Sequence, residues 1–426
     1  MAGSFSSRTT PGVAKNQWQL PVLESGLRSV IHLEVKQMSS PILKAHSLTG
    51  SITLPLLFQA FKAVKRNRGK AGIDKVSIQM FQANLEQNLL ALMKDLKEGT
   101  FQPFPLRRAY IPKNEKEMRP LGIPAVRDRV AQEVVRRLLT PYFEPRFHPH
   151  SFAYIKGRNA HQAIRTLLVL HRQGLRMVLD ADIKGFFDNL PHAVILQAVA
   201  ERIADGNILR LVEKFLKSGV MENGVFKPTT VGTPQGGVVS PLLANLVLDR
   251  LDWQLHRLGY QFVRYADDFV VLCESRIRAE EAKVAVEQVL GSLGLQLSPA
   301  KTRIVSFGKG YSFLGFLISS GTCRIRPKSV KKFQDKVREL TVRKFNFEAE
   351  LIVKLNRVIR GTAQYFAVPA FVTGRNHLHL LDSWIRMRLR ALKFKRKSRQ
   401  DNRRMRVKSF HKLGLLSLES FFAASV

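Results

Sequence analysis

The chain has 426 residues, 45% of them hydrophobic, with 69 Lys and Arg against 33 Asp and Glu, a formal net charge of +36. A basic excess spread along a chain gains affinity for nucleic acid by releasing condensed counterions, whereas a membrane-surface protein confines its positive charge to one amphipathic segment. The only cysteines, Cys273 and Cys323, exclude a disulfide framework and a four-cysteine zinc site, and no apolar run approaches the roughly 20 residues of a spanning helix.

Residues 1–50 mix turn formers with short apolar stretches and read as an N-terminal extension; Met1 to Gln17 is Ser/Thr-rich and lacks the apolar core of a secretory signal. Leu57, Ala60, Phe61 and Val64 recur at helical spacing. Asn67-Arg68-Gly69-Lys70-Ala71-Gly72 then interrupts the pattern, a basic Gly-rich loop that suits phosphates and equally suits plain solvation. From Arg107 to Pro124 a polar middle separates two Pro-bounded extended pieces. This reads as a hairpin presenting Lys113 and Arg119 together at its base, a point charge and a planar fork able to grip a triphosphate. His148 and His150, flanking Pro149, read as a loop pair, and the 11 histidines show no metal spacing.

Leu175 to Asp182 reads as an apolar strand with Asp182 at its end. In Val231–Leu248 a Gly236-Gly237 loop opens into a helix with Ser240 as N-cap and Pro241 in the first turn; small residues there let a base or sugar approach the backbone. A tight loop before a buried helix explains the glycines but not Gln235. Two apolar runs, Gln261–Arg264 and Phe269–Leu272, flank Tyr265-Ala266-Asp267-Asp268, placing two adjacent carboxylates at the tip of a β-hairpin. Like charges there raise each other's proton affinity unless a cation neutralises them, and Mg²⁺ suits carboxylate oxygen. Two such ions about 3.5–4 Å apart clamp the attacking and leaving oxygens of a phosphoryl transfer, and need carboxylates from different strands. Asp182 with Asp267 and Asp268 can supply them.

Toward the C-terminus, Leu351–Gly361 and Leu380–Arg390 are amphipathic at helical spacing. From Arg386 to Lys412 the only acid is Asp401, so this stretch reads as an RNA-binding surface, with a solvated basic tail as the alternative.

Five pieces in order, Arg119-Pro120-Leu121-Gly122-Ile123-Pro124, Asp182-Ile183-Lys184-Gly185-Phe186-Phe187-Asp188, Pro234-Gln235-Gly236-Gly237, Tyr265-Ala266-Asp267-Asp268 and Phe313-Leu314-Gly315-Phe316, resemble the bacterial group II intron-encoded reverse transcriptases with maturase activity. The resemblance implies an α+β right-hand polymerase: fingers over 51–170, a palm of antiparallel sheet and helices over 171–325, and a helical thumb/maturase domain with its basic tail over 326–426. It implies two Mg²⁺ ions, replaceable by Mn²⁺, on Asp182 and Asp267 with the Ile183 carbonyl assisting and Asp268 in support. Phe187 matches the family's steric gate against a ribose 2′-hydroxyl. Gln235 and Gly236 match the lining of the incoming nucleotide, and Lys113 and Arg119 its triphosphate grip. Leu295–Thr302 followed by Phe313–Phe316 matches the palm's exit toward the primer grip. The implied partners are an RNA template, above all intron RNA, a DNA or RNA primer and dNTPs, with no membrane; the implied location is the bacterial cytoplasm, with an organelle as the alternative.

Two departures stand out. Ser151–Asn159 differs from the commoner Phe-Arg-Pro-Gly-Arg pattern, and no Cys/His cluster builds the HNH-type endonuclease of many members, so target nicking is not expected. A free-standing enzyme of DNA repair or phage defence, or a splicing-only maturase, are the competing readings; the intact Asp182, Asp267 and Asp268 argue against the last.

Overall fold

The apolar spacing of Leu57, Ala60, Phe61 and Val64 becomes the helix Leu54–Arg66, on which those four side chains are the buried ones. The computed structural model describes residues 44–112, 117–233, 235–320, 322–369, 371 and 375–423. Most of the expected extension lies outside them. Its last part is fastened to the fold: Leu48 is buried, and Asp205 accepts hydrogen bonds from the Thr49 amide at 2.7 Å and its hydroxyl at 2.9 Å.

In the first part of the chain, helix Val126–Phe143 is buried along most of its length against Leu54–Arg66 and Leu85–Glu98. Beside these helices lies a small sheet of order β2-β1-β4-β5, from Leu106–Pro112 (β1), Met118–Ile123 (β2), Val220–Glu222 (β4) and Val225–Lys227 (β5). Strands β1 and β2 are the expected hairpin, paired from Arg107↔Ile123 to Pro112↔Met118. Arg119 stands opposite Ile111, at the turn end rather than the base, because the pairing runs out to Pro112↔Met118. The loop after Arg66 is packed: Arg107 donates to the Ala71 carbonyl through two nitrogens at 2.8 and 3.1 Å, and a Cβ on Gly72 would meet the Ala125 backbone at 2.5 Å.

Asp128, 1% exposed, accepts from the Phe104 amide at 2.8 Å while its other oxygen has no hydrogen bond and only the Arg127 guanidinium, at 3.6 Å, as an ionic partner. Burial pushes its carboxyl up to about 6, against the pull of the Phe104 amide and Arg127. A folded-state value above the unfolded one means that this group favours folding most below pH 4, and that the contribution fades as pH rises through about 6. Asp128→Asn keeps the acceptor and removes the charge. It should therefore raise the unfolding temperature at pH 8 by an amount reflecting about 2–3 kcal/mol, and leave it unchanged near pH 3.5, as measured by paired thermal melts.

The central sheet is antiparallel, order β6-β7-β3-β8, from Met177–Asp182 (β3), Gln261–Tyr265 (β6), Asp268–Cys273 (β7) and Arg303–Ser306 (β8). Helices Ser240–Arg257 and Arg276–Ser292 pack against it. Ser240 is the first residue of its helix rather than the cap: Val239, already near helical geometry, takes that place, so Pro241 falls at the second position. His148 and His150 are buried, their rings 5.2 Å apart, with His148 against Trp253 and Phe262. They are core residues, because Pro149 turns the chain inward where aromatic side chains surround it.

A second antiparallel sheet, Tyr311–Phe313 (β9), Phe316–Ser319 (β10) and Thr322–Ile325 (β11), leads to helices Pro327–Leu340, Ala349–Phe366 and Arg375–Lys393. Both amphipathic stretches lie in the last two. The basic stretch after Arg386 is folded. Ile385, Leu389, Leu392, Met405 and Phe410 enter the core of these helices, Arg390 donates to the Met405 carbonyl at 2.9 Å, and buried Asp382 caps the short helix Leu418–Ala423 by accepting from the Leu418 amide at 2.9 Å. No helix among the described residues is long and apolar enough to cross a membrane.

Candidate active site

Strands β6 and β7 join through a two-residue turn, Ala266-Asp267, with Tyr265 paired to Asp268. Ala266 has φ 59°, a left-handed conformation that costs a residue bearing a Cβ about 1–3 kcal/mol. Across the sheet Asp182, the last residue of β3, is paired directly with Asp268, and Asp180 stands on the same face two residues earlier. Three elements thus bring Asp180, Asp182, Asp267 and Asp268 to one end of the sheet.

Desolvation raises the proton affinity of Asp267, and nearby Asp182 adds to it, while its own amide, Arg119 and Lys301 oppose the rise. Asp268 is exposed at the strand end, yet desolvation by its surroundings, followed by Asp180, Asp267 and Asp182, pushes it up to about 7. Two cations answer these charges directly. Lys301 Nζ donates to Asp182 Oδ2 at 2.8 Å, and Arg303 Nε to Asp180 Oδ2 at 2.9 Å.

Beyond Asp182 the chain runs beside Leu295–Ser298: the Ser298 amide donates to the Asp182 carbonyl at 2.7 Å and the Lys184 amide to the Gln296 carbonyl at 2.9 Å. These bonds flank the Ile183↔Leu297 bridge, so the Ile183 carbonyl is not engaged in that ladder. Gly185, at φ 52°, then turns the chain into the short helix Phe186–Asn189, where Phe187 stands half-buried with its ring 5.2 Å from that of Phe186.

The glycine-rich loop is pinned on both sides. The Thr233 amide donates to the Phe187 carbonyl at 2.7 Å, and the Gly122 amide of β2 to the Gln235 carbonyl at 2.8 Å. Gly236 has φ 119°, and a Cβ there would meet the Gly122 carbonyl oxygen at 2.4 Å. Buried Gln132 accepts from the Val238 amide at 2.7 Å. The structure therefore brings Phe187, Gln235 and Gly236 to one loop junction against β2, whose Arg119 lies close enough to Asp267 to oppose its rise in proton affinity. Lys113 and Pro234 lie outside the described residues.

Several participants were not singled out from sequence. Asp180 was signalled by alternation, two residues before Asp182 on a strand. Gln132 carried no signal, since Arg127, Asp128, Arg129 and Glu133 already make that stretch of helix polar. The pairing of Lys301 with Asp182 across 119 residues had no sequence signal, nor did the contacts of Arg264 described below.

Among the described residues no three His, Cys, Asp or Glu side chains already form a ready metal cage. The donor chemistry nonetheless fits a divalent ion. Hard carboxylate oxygens converge from two strands and a turn, and the raised proton affinities of Asp267 and Asp268 mark a local shortage of positive charge.

Residues 111–318 match the family model described as reverse transcriptase (RNA-dependent DNA polymerase), and residues 330–410 the model for the group II intron maturase-specific domain. Protein YkfC of Escherichia coli strain K12 is 34% identical over 319 residues, 65% of this chain and 84% of that protein. The group II intron-encoded protein LtrA of Lactococcus lactis is 32% identical over 345 residues, and the match spans 55% of its length. A telomerase structure from Candida albicans aligns over 75% of this chain with a TM-score of 0.42 and 13% identity, a likeness too faint to carry weight. The chain belongs to the reverse transcriptases of the group II intron type, RNA-directed DNA polymerases that bind an RNA template and work with divalent metal ions.

Proposed function

We propose that this chain extends a DNA or RNA primer on an RNA template using dNTPs, and that its RNA is a group II intron whose folding and splicing it assists. The observation that supports this most is the pairing of Asp182 with Asp268 beside the Asp267 turn. Asp182 and Asp267 would hold two Mg²⁺, or Mn²⁺ in their place, with the Ile183 carbonyl assisting and Asp268 in support. When bound, such ions lower the cost of the primer 3′-alkoxide and of the pyrophosphate charge. The chain's own groups do the positioning. Arg119, with Lys113, grips the triphosphate; Gln235 and Gly236 present the loop backbone to the base and sugar. Phe187 bounds the sugar's 2′ side, and its carbonyl is tied to the Thr233 amide, so the backbone that carries the ring is fixed against the loop.

A single experiment addresses both chemistry and selectivity. The purified protein should extend a primer annealed to RNA with dNTPs only when Mg²⁺ or Mn²⁺ is supplied. Phe187→Ala should improve the ratio of rNTP to dNTP incorporation by about tenfold or more, since a lost ring opens space worth about 1–3 kcal/mol of discrimination. An unchanged ratio in an active variant would refute the gate; no extension by the native protein on any RNA template would refute the reading.

A further inference from the structure

Arg264 immediately precedes the Tyr265-Ala266-Asp267-Asp268 turn and is wholly buried, the largest side chain in the described structure that is. A guanidinium is seldom placed there without every nitrogen engaged, because an unpaired buried charge is strongly destabilising. Its Nε donates to Asp252 Oδ1 at 2.7 Å and its Nη2 to Asp252 Oδ2 at 2.5 Å, a bidentate fork on a carboxylate that is itself fully buried. The remaining nitrogen, Nη1, donates at 2.9 Å to Asn245 Oδ1 and at 3.0 Å to the carbonyl of Ala266. Asn245 is fixed in turn, donating to the Ala153 carbonyl at 2.8 Å. Asn245 and Asp252 lie seven residues apart on one face of the helix Ser240–Arg257, which begins just after the Gln235 loop.

The Ala266 carbonyl belongs to the peptide that joins Ala266 to Asp267. Fixing its direction fixes that peptide plane, and with it the point from which the Asp267 side chain leaves the backbone. Ala266 also holds the left-handed φ of 59° at a position where glycine would sit without strain. A bond from a rigid, charged donor is a direct means of holding a strained turn of this kind.

We propose that Asp252, Asn245 and Arg264 form a positioning clamp that holds the Ala266–Asp267 peptide in the orientation catalysis requires. The clamp acts through Asp267 and touches neither substrate nor metal. It also links the carboxylate turn to the helix that anchors the nucleotide loop. The proposal rests on the reading of Asp267 as a catalytic carboxylate.

The test uses the full chain. Arg264→Lys retains the charge but cannot maintain all three sets of contacts. It should lower kcat for dNTP addition by about a hundredfold, the scale of a misplacement of about 1 Å, with KM for dNTP and template–primer affinity within about twofold. In metal-free protein the amides of residues 266–268 should exchange with solvent faster, at a temperature where the rest of the central sheet stays protected. Asn245→Ser, which spares the Asp252 fork, should show the same pattern at about tenfold and serves if Arg264→Lys does not fold. Adding Ala266→Gly to Arg264→Lys should recover at least about fivefold in kcat, because glycine holds the left-handed turn unaided. Asp205→Asn, which loosens a buried carboxylate network around Thr49, controls for lost stability and should leave kcat unchanged at a permissive temperature. A folded Arg264→Lys or Asn245→Ser protein with native kcat overturns the clamp. So does a loss of kcat that only tracks the folded fraction and is not relieved by Ala266→Gly. If Asp267→Asn is itself active, the reading beneath the clamp fails instead.

Discussion

Asp267→Asn should cut Mg²⁺-dependent primer extension by at least about a hundredfold while leaving RNA affinity within about twofold. The substitution is nearly isosteric, so the turn keeps its shape, but it removes a carboxylate from a cluster whose chemistry depends on concentrated negative charge. Weakening a metal's ligand set, even in its outer shell, typically costs 10–100-fold, and direct ligands cost more. Binding should survive because affinity for RNA comes from basic residues elsewhere on a chain of net charge +36. The variant also has a signature independent of activity. Desolvation and three neighbouring carboxylates raise the Asp268 carboxyl to about 7, and removing one of them should move its titration down in metal-free protein, readable from the carboxyl carbon by NMR. Residual extension above about a tenth of native would sink the assignment of Asp267.

The second large effect concerns the basic C-terminal stretch. Truncation before Trp384 would remove Ile385, Leu389, Leu392, Met405 and Phe410 from the helical core and so unfold that part, confounding charge with structure. Charge is separated from folding by replacing exposed residues only. Lys397, Arg399, Arg403, Arg406 and Lys408 are all exposed. Their joint replacement by Gln should leave the melting temperature within a few degrees. If all five meet phosphate, the slope of log K against log salt should become shallower by about 3.5–4.5, at 0.7–0.9 per contact. Affinity for structured RNA at about 0.1 M salt should fall by two or more orders of magnitude. A folded variant with unchanged affinity and slope would show that this face is merely solvated and that any RNA contact of the maturase segment lies on another face.

The sequence disclosed what local chemistry dictates. Helix Leu54–Arg66 was legible because its four buried residues follow helical spacing, and the β6–β7 hairpin because two apolar runs flank a tip with two adjacent carboxylates. The site's carboxylates were legible as charges placed where a strand or a turn makes charge costly. Contacts between distant residues were not. Lys301 on Asp182, Gly122 on Gln235 and Arg264 on Ala266 depend on the fold having formed. The packing of the C-terminal stretch was legible only in part. Composition reports its charge, but the apolar residues spaced between those charges determine that it packs, with long basic side chains lying over apolar neighbours, as Arg390 does over Phe410.

The junction of Gly122 with the Gln235–Gly236 loop, if that loop holds the nucleotide as proposed, limits how such an enzyme can be re-engineered. The contact is main chain to main chain, so no side-chain library can tune it, and at Gly236 even a single methyl group would collide with the Gly122 oxygen. Attempts to alter nucleotide choice by diversifying that loop should therefore return mostly inactive clones. Productive variants should concentrate at Phe187 and Gln235, whose side chains can be exchanged without displacing the two strands of backbone that meet there.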